Sequence, residues 1–294
     1  AATPEASDLK LIDLTGEFAA EYDRTAGLPD AERVAAFKAH FGPIVPGFYS
    51  AGRFRLNDPA KYDARLLRSL QRFPEERAGI AEVSRRFSAL FAPAVASFEA
   101  RFGSLKGYPP VYLVHSLGEF DGGTRSLPNG TFLFFGADMI ARLHAHHDIQ
   151  PFFHHELFHL IHAKNFPECD TVWCGLWTEG LAVYVAAQLN PKATDEDLLL
   201  TFPEPLRPAV ERNRAAAVCA VLAHLDSTDP MITGAMFSSE RMAPELPPRF
   251  AYYVGYLVAS ELGRTRDLKE LAALKPDQIR PMLGPTLRRL ATCP

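Results

Sequence analysis

Two histidines four positions apart, His155 and His159, with Glu156 directly after the first, are the residues of this chain best suited to chemistry. On a helix, residues at i and i+4 share a face one turn apart, so the two imidazoles can converge on one metal ion. Glu156 then stands beside the ion rather than on it, where its carboxylate can take a proton from metal-activated water as general base. The run from Pro151 to His162 is otherwise rich in Phe, Leu and Ile, which makes a buried helix there. Imidazoles in an apolar helix are costly unless they are paired or ligated, and that cost favours a metal.

A catalytic zinc takes three protein ligands and keeps one position open. The run Trp177-Thr178-Glu179-Gly180-Leu181-Ala182-Val183-Tyr184 offers the third ligand in Glu179, far enough past His159 for the chain to turn and start a second packed helix. Gly180 and Ala182 are small enough to let those two helices approach closely. The expected centre is therefore Zn2+ on His155, His159 and Glu179. Hydrolysis of an amide develops an oxyanion, which needs a donor besides the metal. The aromatic segment 250–256 supplies phenols for it in Tyr252, Tyr253 and Tyr256, with the more distant His224 as a further candidate. His144, His146 and His147 have a spacing that fits no second metal set, and one or both of His154 and His162 are expected to be structural.

The pattern His155-Glu156-x-x-His159 followed by Glu179-Gly180-x-Ala182 resembles the gluzincin metallopeptidases, including the thermolysin-like and aminopeptidase N-like branches. It is closer still to predicted zinc-dependent proteases of poorly characterised bacterial families. The resemblance covers about Leu133 to Tyr256 and none of residues 1–105. It implies a zincin-like catalytic half, zinc on the three named ligands, Glu156 as base, and a peptide or protein substrate. Tyr252-x-x-Gly255 is similar to the segment bearing the catalytic tyrosine in the aminopeptidase branch, which makes Tyr252 the first choice of oxyanion donor. The resemblance also implies that an edge strand before the motif helix, here 131–135, accepts the substrate backbone by strand addition. Two features depart from the best-known branches. Val183 stands where thermolysin-like enzymes carry an acidic residue, leaving Asp138 or Asp170 to orient a ligating histidine. The segment that holds the substrate amine in the aminopeptidase branch is missing, since Gly136-Ala137-Asp138-Met139 lacks its glutamate. The activity expected is zinc-dependent hydrolysis of peptide bonds; the alternatives are a zinc hydrolase of a non-peptide or small substrate, and a non-catalytic zinc-bearing binding protein.

The elements that must position these residues follow from periodicity and breakers. Residues 9–18 begin an apolar helical face, and a second helix runs over 30–40 and stops at Gly42-Pro43. A third spans 62–73, and a fourth starts at Pro74 with its apolar residues at helical spacing and is divided or kinked by Pro93. Short β-branched and aromatic runs at 111–115 and 131–135 read as strands around a Gly-rich loop, 118–130, which acts as a lid or a plain hairpin connection. Helices resume with the motif helix, one over 209–225 and one over 250–262. The fold class is mainly α (α+β): a helical N-terminal region (1–105), then a zincin-like domain (106–294) with a small sheet, its edge strand and a helical catalytic half.

The bulk numbers bound the rest. A formal net charge of -4 with no basic run gives no footprint for nucleic acid, and no stretch is apolar for long enough to span a membrane. Small residues open the chain, Ala1-Ala2-Thr3, as at a signal-peptide cleavage site. The four cysteines, Cys169, Cys174, Cys219 and Cys293, allow three pairings of two disulfides or four free thiols. The expectation is an exported protein, periplasmic or secreted.

Overall fold

The computed structural model describes residues 8–54, 56, 58–167 and 169–293. The fold is mainly α with a small mixed sheet, and the chain forms two compact units. One takes the residues up to Ala96 together with Ser104–His146; the other takes Ser97–Gly103 and everything from His147 onward. Among the described residues no helix is long and apolar enough to cross a membrane.

The first unit is organised by its sheet. Strands β1 (Leu11–Asp13), β2 (Val111–Val114), β3 (Gly122–Leu127) and β4 (Gly130–Gly136) lie in the order β1-β2-β4-β3, the first three neighbours parallel and β3 antiparallel to β4. Residues 11–13 are thus a strand rather than a helix start. Their partner is Val111–Leu113, a pairing too distant in sequence for local periodicity to show. Helix α1 (Thr15–Thr25) begins just after, where the Asp13 carboxylate accepts the Thr15 N–H at 2.8 Å and its hydroxyl at 2.6 Å. Helix α2 (Asp30–Ile44) continues through Gly42 and Pro43.

The third and fourth expected helices are one, α3 (Pro59–Phe102), which passes Pro74 and Pro93 without a break. An internal proline removes one backbone hydrogen bond and crowds the preceding turn. Here a buried stripe through Leu66, Leu70, Phe73, Ile80, Val83, Phe87 and Val95 outweighs that loss.

The sheet belongs with these helices. Phe48 stacks on Phe134 at 4.4 Å between ring centroids, and Phe87 meets Phe135 at 5.0 Å. For that reason the units part near His146, not at 105/106. The Gly-rich loop proves to contain β3, hidden by its poor strand composition, Gly-Gly-Thr-Arg-Ser-Leu. Residues 131–135 therefore do not form the sheet edge: Gly130 to Phe135 pairs with β3 and Phe134 to Gly136 with β2. The edge on that side is β3. Helix α4 (Ala137–Leu143) follows β4 at once. A side chain at Gly136 would come within 2.0 Å of the Phe120 carbonyl, so the sharp passage from strand to helix requires glycine.

The second unit is helical. It comprises the last turns of α3, then α5 (Gln150–His162), α6 (Val172–Leu189), α7 (Leu206–Arg212), α8 (Arg214–Ala223), α9 (Pro230–Phe237), α10 (Phe250–Leu262), α11 (Leu268–Ala273) and α12 (Pro276–Leu290). The expected helix over 209–225 is two helices. Asn213 makes the joint, because its side-chain amide donates to the Ala209 carbonyl at 3.1 Å and to the Glu245 carbonyl at 3.1 Å. The cysteines pair as Cys169–Cys174, tying the preceding loop to the first turn of α6, and Cys219–Cys293, tying α8 to the segment after α12.

Helix α6 lies at the centre of this unit, with Leu176, Trp177, Leu181, Ala182, Val183 and Val185 buried. It crosses α10 where two glycines meet. A Cβ on Gly180 would fall 2.2 Å from the Gly255 carbonyl carbon, and one on Gly255 would fall 2.4 Å from the Leu176 oxygen. Gly180 therefore serves the contact with α10 rather than the contact with the motif helix. Both clashes are with backbone, which cannot swing aside. Gly255→Ala should accordingly destabilise the protein by more than about 2 kcal/mol despite the better helix propensity of alanine, measured by thermal or urea unfolding.

Candidate metal centre

Helix α5 starts cleanly. Pro151 occupies its first turn, and the Asp148 carboxylate accepts the Gln150 N–H at 2.9 Å. The helix is apolar nearly all round, with Phe152, Phe153, Leu157 and Phe158 buried, so its polar residues have fixed duties. His154 is fully buried and acts as a peg. Its Nδ1 accepts from the Asn190 amide nitrogen at 2.8 Å, which puts the ring proton on Nε2, 3.1 Å from the Ser97 hydroxyl. Asn190 also receives Gln150 at 3.0 Å and donates to the Ala186 carbonyl at 2.8 Å. This chain of bonds fixes the register of α5 against α6.

With that register set, His155 and His159 project from α5 toward Glu179 of α6. Their Nε2 atoms are 3.0 Å apart, and the Glu179 Oε2 lies 3.3 Å from each. His155 is buried; His159 and Glu179 are half-buried. Among the described residues this is the group of His, Cys, Asp and Glu whose ligand atoms converge closely enough to hold a metal ion.

The charges confirm that the three side chains act as one. Burial pushes the Glu179 carboxyl upward, but the neighbouring imidazoles, His159 foremost, hold it well below the usual carboxylate range. Burial likewise pushes His159 down, yet the Glu179 carboxylate outweighs it, with Glu156 adding to it, and raises the imidazole to about 9. Without a metal the site thus keeps a proton at neutral pH. A cation would replace that proton, since the same carboxylate attracts both.

Tyr252 reaches this electrostatic neighbourhood from α10. Burial raises its phenol first of all; the carboxylates of Glu179 and Glu156 raise it further, and Arg249 opposes them. The other three candidates have duties elsewhere. The Tyr253 hydroxyl donates to Glu211 at 2.6 Å and accepts from Arg207 at 3.3 Å. Tyr256 stacks on Tyr253 at 5.7 Å and meets Tyr184 at 6.0 Å. His224 follows α8 and lines a separate cleft with Asp226 and Arg280.

Neither acidic residue expected behind a ligating histidine takes that role. Asp138 belongs to the first unit, where its two oxygens accept the Ser116 and Gly118 N–H groups at 2.7 Å each. Asp170 is exposed before α6, and among the described residues its side chain makes no hydrogen bond or ion pair. The features missed in the sequence are the His154 peg and the Gly180–Gly255 crossing. For the first, an Asn closing the apolar helix α6 was the available signal; for the second, glycines in two apolar helices.

The chain matches no protein-family model, no curated protein and no solved structure.

His162 is the structural histidine of α5, sandwiched between Phe158 and Phe166 at 5.0 Å from each, with its Nε2 buried and without a hydrogen-bond partner among the described residues. Burial, and the charge on His159, lower it to about 4. Between pH ~6.5 and about 4 the unfolded chain therefore binds a proton that the folded chain refuses, and stability falls as pH falls through that window. His162→Phe should remove roughly 2–3 kcal/mol of this acid sensitivity, seen as a flatter unfolding free energy between pH 6.5 and 4.

Proposed function

We propose that the chain is a zinc-dependent hydrolase of peptide bonds, with Glu156 as general base and Tyr252 as oxyanion donor. The observation that carries the proposal is the triangle of ligand atoms, with sides of 3.0, 3.3 and 3.3 Å. Ligands at the corners of a tetrahedral zinc site, with bonds of about 2.0–2.1 Å, lie about 3.3 Å apart, so the spacing fits zinc without rearrangement. Two imidazoles and one carboxylate are also a donor set typical of catalytic zinc with a vacant position. A zinc ion held there would supply Lewis-acid polarisation of a carbonyl and would acidify water at neutral pH.

The chain's own groups account for the proton and the charge. Glu156 follows His155 on the motif helix and is half-exposed, so its carboxylate can take a proton from attacking water and return it to the leaving amine. The Tyr252 phenol is held above its ordinary value by burial and by the carboxylates. It therefore stays protonated at neutral pH and can donate a hydrogen bond to the developing oxyanion. The resemblance to gluzincins supports a peptide rather than another acyl substrate. The two disulfides support an exported protein, since they persist in an oxidising compartment.

The test pairs metal content with turnover. Zinc should bind the purified chain one to one, and a peptide library should be cleaved in a chelator-sensitive manner. Glu156→Gln should keep the zinc and lose at least about 100-fold in kcat. Glu179→Gln should lose the zinc itself. A stoichiometric zinc protein that cleaves no library member, or an active Glu156→Gln variant, would overturn the proposal.

A further inference from the structure

Arg249 stands immediately before α10, one turn ahead of Tyr252, and its backbone is left-handed, with φ 65° and ψ 13°. Leu117 and Leu199 share positive φ among the described non-glycine residues, but Arg249 is the one whose side chain lies on a candidate site residue. A large L-residue rarely adopts this conformation, because its Cβ crowds the backbone, whereas glycine would hold the same turn freely. The turn itself is firmly built. The Arg249 N–H donates to the Ala235 carbonyl at 3.2 Å, and its own carbonyl accepts the Tyr252 N–H at 3.0 Å. An arginine at this point must therefore be explained by its side chain.

That side chain doubles back over the helix it precedes. Its guanidinium carbon lies 4.4 Å from the centroid of the Tyr252 ring, within cation–π range. One terminal nitrogen donates to the Phe202 carbonyl at 2.8 Å, which anchors the group in place. Phe237 meets the same tyrosine edge-on, with centroids 6.0 Å apart. The backbone beneath is pinned by the contact of Gly255 with Gly180. Each freedom of the phenol is restrained by a different neighbour.

We propose that Arg249 is a positioning residue, which clamps the Tyr252 ring and so holds its hydroxyl in place for the role proposed above, at the expense of a left-handed backbone. The proposal rests on the reading of Tyr252 as oxyanion donor. The guanidinium acts through the phenol and not on substrate: it is laid against the ring and tied to a main-chain oxygen.

The test uses Arg249→Gly, Arg249→Lys, Tyr252→Phe and the double variant Arg249→Gly/Tyr252→Phe in the full chain. Glycine relieves the left-handed strain, so Arg249→Gly should keep an unfolding temperature within a few degrees of the parent. It should nonetheless lose about tenfold or more in kcat with little change in KM, since small misplacements of a catalytic group are expensive in rate. Lysine, which restores a cation near the ring, should recover part of the loss. The double variant should be no slower than Tyr252→Phe alone. Additive losses would overturn the proposal, as would a rise in KM confined to acidic substrates, which would make Arg249 a substrate contact. A second readout needs neither metal nor turnover. In metal-free protein labelled with 3-fluorotyrosine, the 19F resonance lost in Tyr252→Phe should shift or broaden in Arg249→Gly while the other tyrosines stay put. An unmoved resonance would overturn the clamp. If the parent protein cleaves no peptide, the peptidase reading fails on its own, and the resonance still decides whether Arg249 holds Tyr252.

Discussion

Where α6 and α10 cross, Gly180 and Gly255 bring two backbones together with no room for a single methyl group on either side. Glycine in the middle of a helix costs about 1 kcal/mol relative to alanine, so two of them at one crossing form a deliberate weakness in each helix. What they gain is proximity. Glu179 directly precedes the first glycine and Tyr252 stands three residues before the second, so the crossing that joins the helices also joins a candidate metal ligand to a candidate hydrogen-bond donor. A crossing widened by one side chain would separate Tyr252 from the carboxylates that raise its phenol. A shift of even about an ångström is enough to break a hydrogen bond, whose heavy atoms must lie within about 3.2 Å of each other.

The other side of α6 carries the complementary constraint. The motif helix is nearly featureless in its apolar surface, and packing alone would fix its rotation poorly. A slip of one residue would turn the helix by about 100° and carry both imidazoles away from Glu179. The bonds of His154 with Asn190 and Ser97 oppose such slips, because each slip would separate the fully buried imidazole from both partners. One histidine thus sets the register for the two that follow it in the chain. His162 shows the opposite case: it stacks between two phenyl rings, sits where a hydrophobe would fit, and weakens the unit in acid.

The parts of this arrangement that were legible in the sequence are those written in local chemistry. The convergence of His155 and His159 and the bounds of α10 could be read from spacing, because i, i+4 geometry and apolar periodicity are properties of one segment. Glu179 was reached from the length of chain needed to turn and begin a second packed helix. Errors arose where a distant partner decided the outcome. Residues 11–13 became a strand because β2 pairs with them, Pro74 and Pro93 were tolerated because a long buried stripe holds α3, and β3 formed from glycine-rich residues because β4 offered a template. Gly180 was recognised as a close-approach residue but assigned to the wrong neighbour, since a small residue announces proximity without naming what comes near. Arg249 gave no warning at all: left-handed backbone is signalled by glycine or asparagine, and here an arginine takes it.

The charges at the centre follow from this same economy of position. Two imidazoles held about 3 Å apart repel if both are protonated, and a carboxylate at equal distance from each relieves the repulsion for one proton only. A divalent cation placed among the three relieves it for both, with no change in the number of groups. The unfilled demand of the folded chain is thus for about one further positive charge at that point. Helix packing imposes this demand: α5, pegged by His154, and α6, held by α10, keep the three side chains close together. In this scheme the glycine crossing comes first, because it is what brings Tyr252 under the influence of the Glu179 carboxylate.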